Sequence, residues 1–139
     1  MRYRAGWLQE KLLLALTHFE PVVTAEDFSN IATDTKTALR EVTGPFHLLI
    51  DNRIIKETSI ASLDTMLESL PLLRHPQLRW IIVVLPAAIK ENAAGMDIQR
   101  QGLIRLKHVD RLSAAFSFLA SEDSRLKGKL DYAAFFENS

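Results

Sequence analysis

The residues best placed for chemistry are Asp51, Asn52 and Arg53. They follow Phe46-His-Leu-Leu-Ile50, a run that is apolar apart from His47 and is preceded by Gly44-Pro45. Such a run reads as a strand buried on both faces. Asp51 then stands at its carboxyl end, where open α/β sheets place ligand crevices. An aspartyl phosphoacceptor there needs further acidic residues near the end of an earlier strand to hold magnesium, and the stretch from Leu12 to Glu20 offers only Glu20. An Asp-x-Asp phosphatase pair also fails, because Asn52 and Arg53 follow. The plainer expectation is that Asp51 caps the following loop or pairs with Arg53.

Thr58 and Ser59 are the next candidates, two hydroxyls just before an apolar helical stripe. A residue there normally caps the helix. A phosphate in the same place would meet the positive end of the helix dipole and make a regulatory switch. His18, His47, His75 and His108 are scattered over separate elements with no ligand spacing, so no metal site is expected. His47, inside the buried run, reads as a core histidine bonded to backbone. Esterase-elbow, phosphate-loop and dinucleotide glycine motifs are absent, and no catalytic residue or cofactor is assigned. Arg100, Arg105, Lys107 and Arg111 form a basic cluster without interleaved aromatic residues, which reads as a charged sheet edge rather than a nucleic-acid platform.

The elements that position these groups follow from periodicity. Tyr3, Ala5 and Trp7 alternate with polar or small residues, as on a half-exposed edge strand. Gln9-Glu10-Lys11 turns the chain into Leu12–Leu16, an inner strand of a hairpin. Thr24 caps a helix whose stripe is Phe28, Ile31, Ala32, Thr35, Leu39 and Val42, ending at Gly44. After the Phe46 strand, Ile60, Leu63, Leu67 and Leu70 predict a second helix. Trp80–Leu85 predicts a second buried strand. A thin third helix is predicted from about 87 to 101, then a strand with Ile104 and Leu106 inward. A last helix, capped by Asp110, presents Leu112, Ala115, Phe116 and Leu119. The expected class is α/β: a mixed, mainly parallel sheet of about five strands with an N-terminal hairpin and four covering helices, in the order β-β-α-β-α-β-α-β-α.

The totals narrow the function. The chain has 139 residues, 47% hydrophobic and 24% charged, enough for one ordinary globular domain. Seventeen basic residues balance seventeen acidic ones, so no general pull toward nucleic acid or anionic membrane is expected. Without cysteine there is neither disulfide nor thiol chemistry. Arg2 and Arg4 precede too short an apolar run for a signal peptide, and no stretch is long enough for a membrane span, so a cytoplasmic protein is expected.

Three stretches, His47-Leu-Leu-Ile-Asp51, His75-Pro-Gln-Leu-Arg-Trp-Ile-Ile-Val-Val84 and Val109-Asp-Arg-Leu-Ser-Ala-Ala-Phe-Ser-Phe-Leu119, together with Val23-Thr-Ala-Glu-Asp27, resemble the STAS, or anti-sigma-factor-antagonist-like, superfamily and its small bacterial members. The likeness covers residues 1–126. It implies a non-enzymatic regulatory module that binds a protein partner. In switched members a hydroxyl at the start of the helix after the third strand is phosphorylated. Thr58 and Ser59 occupy that place, though Glu57 precedes them where the family's motif has aspartate. Glu20-Pro-Val-Val23 also lacks the glycine often found before the first helix. The related SEC14-type fold implies an alternative, a domain that takes a small apolar or lipid-like ligand. Beyond the likeness lies a tail, 127–139, in which Tyr132, Phe135 and Phe136 would share one helical face. They either fold back on their own domain or dock on a second copy as a homodimer.

Overall fold

The structure, a computed structural model, describes residues 1–56, 63–70, 73–86, 98–126 and 132–137. It is an α/β fold built on one six-stranded mixed sheet. The strands are β1 (Tyr3–Gln9), β2 (Leu13–His18), β3 (Phe46–Asp51), β4 (Leu78–Val84), β5 (Gln99–Gln101) and β6 (Ile104–Val109), in the spatial order β1-β2-β3-β4-β6-β5. β2, β3, β4 and β6 are parallel, and an antiparallel edge strand flanks them on each side. Three α-helices lie among the described residues: α1 (Ala25–Leu39), α2 (Leu63–Ser69) and α3 (Leu112–Glu122).

All six residues of β3 are buried, as its unbroken apolar run requires, and β4 is buried except at Arg79. Side-chain alternation divides the core in two. Leu14, Leu48, Ile50, Ile81 and Val83 face one way, with Leu39, Leu63 and Leu67 from the α1–α2 side. Leu13, Ala15, Leu49, Trp80, Ile82 and Val84 face the other, against Ala115 and Leu119 of α3. β1 is half-buried along its length, the expected edge, and β2 is the inner strand of the hairpin. The turn between them closes with Leu12 N–H donating to the Gln9 carbonyl at 3.0 Å and places Lys11 at φ +62°.

Several expectations are corrected. The sequence predicts a thin helix, interrupted at Gly95, from about 87 to 101. Residues 87–97 lie outside the described residues, but Gln99–Gln101 pair with β6 as a sixth strand. The cause is the two-residue turn Gly102-Leu103: Gly102, at its first position, has φ +62°, the glycine requirement of a tight hairpin. β5, not β6, is therefore that edge of the sheet. α1 has the expected cap, with Asp27 N–H donating to Thr24 Oγ1 and Thr24 N–H to Asp27 Oδ2, both at 3.0 Å. Arg2 also holds Asp27, at 2.9 Å from both carboxylate oxygens. This turns Asp27 inward and leaves Phe28, placed on the inner stripe by its spacing, 44% exposed. α1 ends at Leu39, short of Gly44. α3 begins after Arg111, which makes no side-chain cap; the expected cap, Asp110, lies one residue before the cap position and pairs with Arg111 at 3.2 Å.

Two glycines separate conformational need from space. Gly102→Val should destabilise the chain by about 1–2 kcal/mol, since a β-branched residue is strained at that φ although nothing crowds the site. Gly44→Ala, with nothing within 4 Å of the new methyl and no positive φ, should be neutral or stabilising by up to about 1 kcal/mol. Urea unfolding of the two variants tests the contrast.

Candidate functional site

The carboxyl end of β3 is organised by Asp51, which is 3% exposed. Parallel pairing sets Thr17 of β2 beside it, and Thr17 Oγ1 donates to Oδ2 at 2.8 Å. Arg53 supplies three more bonds. Its N–H and Nε donate to Oδ1 at 3.1 and 2.9 Å, and Nη2 donates to Oδ2 at 3.0 Å. Both expected roles of Asp51, loop cap and partner of Arg53, occur together. A buried carboxylate accepting four hydrogen bonds is a poor nucleophile or base, since attack requires giving some of them up. Asn52 extends the strand ending, its N–H donating to the Val84 carbonyl at 2.9 Å. Thr58 and Ser59 lie outside the described residues.

Arg53 also reaches the place where the tail ends. The tail forms a short 3-10 turn, Ala133–Phe136, in place of the expected α-helix face. Arg4 of β1 holds it, with Nη1 donating to the carbonyls of Ala134 at 2.8 Å and Phe135 at 2.7 Å. Phe135 lies against Gly6, where an added methyl would meet the ring at 3.8 Å. Tyr132 donates its hydroxyl to Gln9 at 3.2 Å. The Phe116 ring centre lies 4.5 Å from that of Tyr132 and 6.0 Å from that of Phe136. The tail thus lies on its own sheet, with Phe135 on β1 and the other two rings on α3.

Between these parts is a cleft of about 460 Å³. Arg53 lines it from the loop after β3, Leu112, Ser113 and Phe116 from α3, and Tyr132, Ala133, Phe136 and Glu137 from the tail. Volume and lining suit a small apolar ligand with one or two polar anchors. Asp51 and Asn52 do not line it. Sequence spacing could not have joined Arg53 to the tail, because tertiary packing alone brings them together.

A second constellation, at the opposite end of β3, was missed. His47 is buried as expected, but its Nε2 lies 2.9 Å from Asp123 Oδ2 rather than on backbone. Its buried Nδ1 has no hydrogen-bond partner among the described residues. Asp123 also accepts from Arg125 through N–H, Nε and Nη2, while Arg125 Nη2 donates to the Pro45 carbonyl at 2.9 Å. The Asp-x-Arg spacing of 51–53 therefore recurs at 123–125 with the same bonding, a signal present in the sequence. The basic cluster also finds rings that its own segment lacks: Arg105 lies 5.1 Å from the Trp80 ring centre, and Lys107 lies 5.0 Å from that of Phe118. Trp80 is only 3% exposed, so its ring is not offered to a stacking base. Among the described residues there is no metal-ligand cluster and no helix long and apolar enough to cross a membrane.

Burial holds His18, His47 and His108 below their ordinary value of 6.5. Above that pH both folded and unfolded chains carry them neutral. As pH falls below it the unfolded chain gains protons first, so stability should decline with acidification until the folded pKa values are passed. Arg125 holds the Asp123 carboxyl well below its ordinary 3.8, so its contribution is lost only at still lower pH. His47→Gln should flatten the slope just below pH 6.5 in pH-resolved denaturation. Asp51→Asn should cost about 2 kcal/mol at neutral pH, discounted from a fully buried pair because the Arg53 side chain is 42% exposed.

The chain matches no protein-family model, no curated protein and no solved structure, so its own residues alone carry the functional reading.

Proposed function

We propose that this chain is a STAS-like regulatory or protein-interaction module, not an enzyme. The observation that carries the reading is the state of Asp51. The carboxylate at the strand end, where an α/β enzyme would place its acting group, is fully engaged in holding the Arg53 loop. The order of elements, a hairpin followed by a parallel succession of strands with α1 and α2 on one face and α3 on the other, supports the STAS-like part. Thr58 and Ser59, just beyond this loop, are the proposed regulatory hydroxyls. The partner is another protein or a second copy of the chain, in a cytoplasmic setting. Because Phe135 and Phe136 already pack on their own sheet, self-association through the tail would proceed by exchange of tails rather than by an added contact.

The cleft favours a second reading, binding of a small apolar or lipid-like ligand. Native mass spectrometry of freshly purified protein separates the two: a retained hydrophobic ligand favours the second, and a bare chain mass the first.

For the leading reading, hydrolase and phosphatase screens should find no turnover that Asp51→Asn abolishes. Thr58→Asp or Ser59→Asp should weaken or strengthen partner binding by about tenfold or more, whereas alanine at either position should leave it nearly unchanged. Equal binding by the aspartate and alanine variants, measured by titration against a partner captured by pull-down, would reduce these hydroxyls to helix caps.

A further inference from the structure

We propose that the cleft between Arg53, the start of α3 and the C-terminal turn binds a small carboxylate with an apolar, aromatic-sized body. The proposal deepens the ligand-binding reading and rests on it. Three observations define the ligand. The first is the wall: Phe116, Tyr132 and Phe136 pack ring to ring along one side, giving a surface for an apolar or aromatic body. A volume of about 460 Å³ falls within the range of small-molecule pockets.

The second is the way Arg53 is held. Asp51 engages its Nε and Nη2, which fixes the guanidinium plane. Among the described residues Nη1 has no hydrogen-bond partner, and the side chain stays 42% exposed. An arginine oriented in advance, with an open donor edge, loses little freedom on taking a carboxylate. Asp51 does not cancel this role: one carboxylate occupies one edge of a guanidinium that has five donors.

The third is Glu137, which also lines the cleft. Its charge opposes every anion there, and it opposes a phosphate monoester, with nearly two charges, more than a carboxylate. Arginine and glutamate in one cleft therefore select a monoanion. Apolar wall, open guanidinium edge and acidic rim together specify an arylalkyl or short alkyl carboxylate.

The test is calorimetric titration of the full chain with 4-phenylbutyrate, its neutral analogue 4-phenylbutanol, and phenyl phosphate. The acid should bind about tenfold tighter than the alcohol, the worth of one charge-assisted contact. It should also bind tighter than the phosphate. Ser113→Glu, at an exposed position on the cleft wall, should erase the preference for acid over alcohol without impairing folding. Glu137→Gln, also exposed, should narrow the gap between acid and phosphate. Equal affinity for acid and alcohol in the unaltered chain overturns the proposal and leaves the apolar-ligand reading standing. A preference for phosphate, or an acid affinity indifferent to Ser113→Glu, overturns the assignment of carboxylate to this cleft. No binding of any of the three at about millimolar concentration, too weak for a built site, overturns both the proposal and the reading beneath it.

Discussion

A carboxylate placed under the end of a central strand must be compensated, and how Asp51 is compensated shapes this end of the molecule. Isolated burial of a charge costs several kcal/mol, so every available lone pair is matched. Thr17 comes into position only because β2 and β3 run parallel in the observed register. Arg53 comes into position only because the chain turns immediately after Asn52. The loop's direction, the strand register and the guanidinium's orientation are thus a single constraint. Asp123 and Arg125 repeat the arrangement near the other end of the strand, where Arg125 also reaches Pro45 and Asp123 reaches His47. β3 is fastened at both ends by the same local chemistry, at one end to its neighbour strand and at the other to the helix that covers it.

The two faces of the sheet are closed by different means. On the α1–α2 side, aliphatic side chains meet aliphatic side chains, together with Trp7 and Phe46 edge to face. On the other side, among the described residues, α3 alone does not cover the strands. The remaining width is completed by Phe135 and Phe136 from the tail and by Arg105 and Lys107 laid over rings. A face finished with aromatic rings and cation stems leaves room where they fail to interlock, and the cleft beside Arg53 is that room. The ligand-binding reading belongs to this face, where Arg53 and Glu137 meet the rings of Phe116, Tyr132 and Phe136 in one opening.

What was legible in the sequence depended on range. β3 and β4 were legible because strands buried on both faces need unbroken apolar runs. The cap of α1 was legible because Thr24 and Asp27 lie three residues apart and bond locally. The pairing of Asp51 with Arg53 had the same short range. β5 was misread because three polar residues carry no period, and only Gly102 marked the hairpin. Asp110 looked like a cap, but the helix starts one residue later, with Arg111 at the cap position. His47 was placed correctly in the core, but its partner is far away in sequence and no spacing could name it. The cleft escaped for the same reason: its walls are set by the docking of the tail on β1 and α3. A rule for that docking would have to start from Arg4, whose guanidinium takes the carbonyls of Ala134 and Phe135 across more than a hundred residues of sequence.

Arg4 bonds to carbonyls at both ends of the C-terminal turn, including Glu137 at 3.4 Å. The first strand and the last described residues therefore leave the molecule at one corner. Anything attached before β1 and anything attached after the turn would emerge side by side, next to the cleft on the α3 side of the sheet. Two appended segments would be held at high effective concentration toward each other without touching elsewhere.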